Sequence, residues 1–236
     1  MKIVALNGSP TRQNSSTVHM VDLLLEGAAE MGAQTTRLDV GQMKIIPCLG
    51  CYACWFKTNG VCVQQDDMPK VIAELKDVDV LVFATPIFYD GMTAQLKATI
   101  DRLNQTVIPK LELKDGHCRQ PQRDVMHGKM VLVAVNGFYE ADNFDALIHH
   151  VKRIAENMDR EMVGTILRPY AKTLFSLEAM GMNFDQIYEQ VREVGRQLVR
   201  DGKVSPETET AIRANVIPKM DYVDGANKMF QQLTSN

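Results

Sequence analysis

The chain has 236 residues, 45% hydrophobic and 23% charged, with a formal net charge of −3, a composition that suits a globular protein with a sizeable core. No basic stripe marks a nucleic-acid partner, and no run approaches the ~18 uninterrupted apolar residues of a membrane span. The opening MKIVALNGSP lacks the basic lead and long apolar stretch of a signal peptide, so a cytoplasmic, reducing setting with free thiols is expected.

In chain order, short β-branched runs alternate with amphipathic stretches. Residues 2–7 read as an apolar strand ending in Gly8-Ser9-Pro10. Over 16–31, apolar residues recur at Val18, Val21, Leu25 and Ala28, the spacing of a helix with one buried face. Residues 35–40 predict a second, more polar strand near a sheet edge. A cysteine-rich loop (47–66) follows. Asp66-Asp67-Met68-Pro69 then offers a capping carboxylate and an early proline for a helix to residue 77.

Residues 78–85 (VDVLVFAT) and 130–135 (MVLVAV) are near-continuous apolar runs, as strands buried on both faces require. Between them, 93–103 predicts a helix. Residues 104–128 form a long insertion with two prolines and Cys118 but little periodicity. Loops of that length tend to be functional or interfacial, and Val107, Ile108 and Leu111 are its candidate subunit contacts. A helix over 143–158, a strand over 161–166 and a helix over 184–200 follow, and two weaker helical stretches flank Pro218. Five strands alternating with helices imply one doubly wound α/β domain over 1–203, with a five-stranded parallel sheet. Residues 204–236 form a helical C-terminal extension.

The first strand opens into Asn7-Gly8-Ser9-Pro10-Thr11-Arg12-Gln13-Asn14-Ser15-Ser16-Thr17 just before a helix. Free backbone N–H groups and the helix dipole favour an anion there. Ser9, Asn14, Ser16 and Thr17 can donate hydrogen bonds to a phosphate, and Arg12 adds charge. The pattern is neither a dinucleotide fingerprint nor a P-loop. After the third strand, Pro86, Ile87, Phe88, Tyr89, Asp90 and Gly91 offer aromatic surface beside backbone amides. Asn136 and Gly137, after the fourth, supply another wall. Open α/β sheets bind ligands outside the carboxyl ends of their strands, and all three loops leave from that edge.

Cys48, Cys51, Cys54 and Cys62 lie too densely for a disulfide framework. A ferredoxin-type [4Fe-4S] site uses successive Cys-x2-Cys steps with one further thiolate. A redox thiol pair and plain surface cysteines are the alternatives. Structural zinc, which prefers paired knuckles separated by a longer span, fits poorly. His149 and His150 read as helix-surface residues and His19 as a helix-face residue, so no histidine is a candidate catalyst.

The segments Leu6-Asn7-Gly8-Ser9-Pro10, Asn14 to Thr17, Thr85-Pro86-Ile87-Phe88-Tyr89 and Met92 to Lys97 resemble the flavodoxin-like NAD(P)H-dependent FMN reductases. Pro47-Cys48-x-Gly50-Cys51-x-x-Cys54 with Gly60-x-Cys62 and Asp66-Asp67-Met68 resembles the iron–sulfur flavoprotein subset. The resemblance covers residues 1 to 200. It implies sheet order 2-1-3-4-5, non-covalent FMN and a homodimer or homotetramer. It assigns Ser9, Arg12, Asn14, Ser16 and Thr17 to the FMN phosphate. Pro86 to Gly91, Asn136 and Gly137 would line the ribityl chain and ring, and the four cysteines would hold a [4Fe-4S] cluster. The loop between Pro10 and Thr17 is one residue longer than the commonest family form.

The function so implied is an oxidoreductase passing hydride from NAD(P)H through FMN to an acceptor such as a flavin or quinone. Hydride transfer demands no acid or base side chain, so no catalytic residue is assigned; the cofactor carries the chemistry. The alternative is an electron carrier whose cluster relays single electrons between a ferredoxin-like protein and FMN.

Overall fold

A computed structural model describes residues 1–11, 14–123 and 127–235. Five parallel strands, β1 (Lys2–Asn7), β2 (Gln34–Leu38), β3 (Val80–Pro86), β6 (Gly128–Val135) and β7 (Arg160–Arg168), form one sheet in the order β2-β1-β3-β6-β7. In order of these five strands alone that is 2-1-3-4-5, the order the resemblance implies for a doubly wound sheet. The half-buried residues of β2 stand at one edge of the sheet.

Alternation along the central strands divides the core between two faces. Ile3, Ala5, Val80, Val82, Ala84, Val131, Val133 and Val135 pack with α1 (Ser16–Glu30), α7 (Asp185–Arg200) and Ile212 of α8 (Pro206–Arg213). Val4, Leu6, Leu81, Phe83, Met130, Leu132 and Ala134 pack with α3 (Met68–Glu74), α4 (Ala94–Arg102) and α5 (Asp145–Asn157). Both faces are apolar because helices cover both. Helices α1 and α7 touch backbone to backbone: a Cβ on Gly27 would lie 1.9 Å from the Arg192 carbonyl oxygen, and one on Gly195 2.1 Å from that of Leu24.

Three elements go beyond the sequence expectations. The insertion contains a hairpin, β4 (Glu112–Lys114) paired antiparallel with β5 (His117–Arg119). Its turn residues Asp115 and Gly116 both have positive φ, as a tight Asp-Gly hairpin turn requires. A four-residue helix, α2 (Ala53–Phe56), lies in the cysteine loop, and α6 (Ala171–Ala179) follows β7. Beyond α7, α8 buries Thr208 and Ile212, whereas α9 (Lys219–Thr234) buries no residue.

Candidate functional site

The loops leaving the carboxyl ends of β1, β3 and β6 meet at one edge of the sheet, and the first is the most tightly fixed. Gly8 N–H donates to the Ala84 carbonyl at 2.7 Å, and Thr93 Oγ1 donates to the Gly8 carbonyl at 2.8 Å. A Cβ on Gly8 would lie 2.6 Å from the Leu96 Cβ, so no side chain fits between the loop and α4. On the other flank the Asn7 amide donates to Asp39 at 2.8 Å, and its oxygen accepts the Ser9 N–H. Ser9 and Ser15 share a hydroxyl–hydroxyl hydrogen bond of 2.9 Å, and Ser15 caps α1 by accepting from Val18 N–H.

That cap leaves Ser16 and Thr17 in the first helical turn, where the helix supplies no acceptor for their N–H groups. The turn carries no acidic residue. Ser9, Ser16 and Thr17 are buried in the wall of the loop, and exposed Asn14 adopts φ 52°. Arg12 lies outside the described residues.

The β3 loop closes on itself at the Phe88–Gly91 pair, which exchanges two backbone hydrogen bonds of 3.0 and 3.1 Å. Its tip residues, Tyr89 and Asp90, both have positive φ, at 46° and 60°. An aromatic residue there is a backbone outlier, and such outliers concentrate at functional sites. Tyr89 is wholly exposed and Phe88 is more than half exposed. Pro86 and Ile87 are half-buried at the root of the loop.

Asn136 is a hub for the third wall. Its amide donates to the Glu140 carbonyl, and its oxygen accepts the Tyr170 N–H. Its side chain therefore fixes the path of Gly137, which is exposed with open space where a Cβ would stand. Residues far along the chain complete this wall. Tyr139 and Tyr170 stack at 5.2 Å with an interplanar angle of 8°, and Tyr222 of α9 packs against both and donates to the Gly137 carbonyl. Buried Arg168 donates to the Ile212 and Ala214 carbonyls and holds the end of α8. Composition gave no signal for Tyr170, Tyr222 or Arg168, because each acts through a contact with distant chain.

Cys48 and Cys51 are exposed, Cys54 and Cys62 are half-buried, and all four thiols are free. Burial raises the Cys54 thiol pKa, with the charges of Cys62, Cys48 and Cys51 adding to the shift. Among the described residues no three His, Cys, Asp or Glu side chains converge on a single metal ion. A [4Fe-4S] cube binds each thiolate through a different iron and so takes a wider set. Four thiolates are the donor type such a cube uses.

The loop is anchored on α4 and the 3-10 turn that follows it (Leu103–Thr106). Gln105 Oε1 accepts the Cys62 N–H at 3.3 Å, and Trp55 Nε1 donates to the Asn104 carbonyl at 2.7 Å. Asp66 is no simple helix cap. Its carboxylate accepts the Met68 and Ile46 N–H groups and pairs with Arg102, both side chains being at most 1% exposed. Burial alone would push the Arg102 guanidinium pKa down; Asp66 and the nearby Cys62 sulfur outweigh it, and the net shift is upward.

A cleft of about 710 Å³ lies at the opposite end of the sheet, but the Lys114–Asp159 and Arg119–Glu156 ion pairs tie across it. The carboxyl edge is instead a shelf that combines hydroxyls, free helix-start N–H groups and the exposed rings of Phe88, Tyr89 and Phe138. That combination fits a phosphate joined to a flat, amphipathic ring.

Residues 1–167 match the family model described as NADPH-dependent FMN reductase. An iron–sulfur flavoprotein of Methanocaldococcus jannaschii is 31% identical over 102 residues, 43% of this chain and 51% of that protein. One of Methanosarcina thermophila is 32% identical over 102 residues, 43% of this chain and 52% of that protein. The chain thus spans about half the length of the curated relatives it matches. An FMN-dependent NADH-azoreductase of Bacillus anthracis, solved in complex with FMN, superposes with a TM-score of 0.60 at 14% identity. The match covers 84% of this chain and 99% of that one, a likeness of fold.

Proposed function

Because the chain belongs to the NADPH-dependent FMN reductase family, we propose that it is an oxidoreductase taking reducing equivalents from NAD(P)H and passing them to an acceptor. The observation that carries this reading is the meeting of three loops at the carboxyl edge of the sheet beside an acid-free helix start. Ser9, Asn14, Ser16 and Thr17 hold the FMN phosphate, and Arg12 adds charge. Pro86, Ile87, Phe88, Tyr89, Asp90 and Gly91 line one side of the ribityl chain and ring, and Gly137, steered by Asn136, lines the other. When bound, FMN supplies hydride acceptance and onward donation of electrons. The chain orients that group, and its N–H donors stabilise the negative charge of the reduced form.

A second reading rests on the four thiols. Cys48, Cys51, Cys54 and Cys62 hold a [4Fe-4S] cluster, and the chain relays single electrons between a protein partner and FMN. The names of the matched relatives support it. We place the protein in the cytoplasm as a homodimer or homotetramer; among the described residues no helix is long and apolar enough to cross a membrane.

One preparation tests both readings. Protein purified without oxygen is assayed for FMN, iron and sulfide, then mixed with NADPH and NADH. Rapid bleaching of flavin absorbance supports the reductase, and flavin that neither nucleotide reduces rejects it. Flavin bands without iron or sulfide reject the relay.

A further inference from the structure

Both stems of the cysteine loop end on one buried side chain. Arg102 donates through one terminal nitrogen to the Ile46 carbonyl at 2.7 Å and to Asp66, and through the other to Asp66 at 3.2 Å. Ile46 lies two residues before Cys48, and Asp66 four residues after Cys62. Gln105 repeats the link: its amide donates to the Arg102 carbonyl at 3.0 Å while its oxygen accepts the Cys62 N–H. Arg102 is 2% exposed, its Nε has no hydrogen-bond partner, and Gln105 joins its backbone to that of Cys62.

The one guanidinium thus joins the chain just before Cys48 to the chain just after Cys62. We propose that Arg102 is a positioning residue of the thiol site, closing the cysteine loop and setting a fixed positive charge against the Cys62 ligand. The inference rests on the cluster reading of the loop. A cube held by four thiolates is anionic and gains further negative charge on reduction. Net charge and hydrogen bonds to the sulfurs set the potential of such a centre. A permanent cation at one ligand stabilises the reduced form, and Asp66 on its far side opposes that effect while holding the cation in place.

The test uses the full chain, reconstituted with iron and sulfide without oxygen, as wild type, Arg102→Gln, Arg102→Lys and Asp66→Asn. Iron and sulfide are counted per chain, and the midpoint potential is read by redox titration followed by electron paramagnetic resonance. The expected result is opposite signs. Arg102→Gln moves the potential down, Asp66→Asn moves it up, and Arg102→Lys keeps the wild-type potential at reduced iron content. A purely structural clamp would lower iron content in all three and leave the potential of the loaded fraction unmoved. That result, or shifts of one sign in Arg102→Gln and Asp66→Asn, overturns the inference. If Arg102→Gln does not load, the other two decide: an unmoved Arg102→Lys beside a raised Asp66→Asn supports the assignment, and any other pattern rejects it. Wild-type protein that takes up no iron or sulfide instead rejects the cluster reading, and this inference with it.

Discussion

The loop after β1 and the cysteine loop flank the same sheet, yet they are built in opposite ways. The first is wedged between α4 and the chain after β2, with Gly8 pressed against Leu96 and backbone hydrogen bonds on both sides. The second is mostly exposed, with Leu49, Tyr52, Phe56, Val61 and Val63 facing outward around a four-residue helix, and it hangs from a few contacts to Arg102, Asn104, Gln105 and Arg123. The first site is preformed by the fold. The second concentrates its order in one buried ion pair, so its damage should be all-or-none where damage to the first is graded.

The largest expected effect breaks that ion pair. Arg102→Met leaves Asp66 buried and unpaired, a change that typically costs about 3–5 kcal/mol. Urea unfolding measures it, and limited proteolysis should map new cleavage to residues 47–65. A loss under about 1 kcal/mol would mean that the loop does not depend on the pair. Gly8→Val comes next: overpacking costs about 1–3 kcal/mol, and a displaced loop should abolish FMN retention through gel filtration. Retained flavin in that variant would count against the phosphate assignment.

Ser15→Ala sharpens the comparison at smaller scale. Loss of the cap costs about 1 kcal/mol, and the partner hydroxyl of Ser9 is freed. FMN affinity, read by quenching of flavin fluorescence, should weaken while the iron content of the cysteine loop stays constant. Parallel loss of both would tie the two loops together.

The smallest effect is a pH dependence at the entrance to α1. Burial holds the His19 imidazole below its usual value of 6.5, partly offset by Glu178, Asp22 and Glu26. The unfolded chain therefore binds the proton more readily, so the neutral ring's contribution is full above 6.5 and is lost as pH falls below it. Chemical unfolding at pH 7 and pH 5 should show a steeper acid loss for wild type than for His19→Gln. Equal slopes would remove His19 from the account.

The loop after β1 was the more legible of the two. Apolar runs at 78–85 and 130–135 name strands buried on both faces, and the Gly8-Ser9-Pro10 segment after the first strand marks the turn that packs against α4. Those signals are local, as are the interactions that create them. The cysteine spacing drew attention to that loop but did not reveal what supports it. Asp66 read as a helix cap because its neighbours suit one, while its main partner, Arg102, lies 36 residues away. The stack of Tyr139, Tyr170 and Tyr222 is hidden for the same reason. The hairpin of β4 and β5 was marked by Asp115-Gly116, but its three-residue exposed strands carry no apolar period to make the signal stand out.

Trp55 is the single tryptophan of the chain, and its indole N–H is tied to the Asn104 carbonyl beside Tyr52 and Phe56. Intrinsic indole emission from this protein therefore comes from one address, the hinge between the cysteine loop and α4. A red shift on adding denaturant reports the loop letting go rather than the sheet melting. Comparison with far-ultraviolet circular dichroism, which sees the helices, separates the two events without any label.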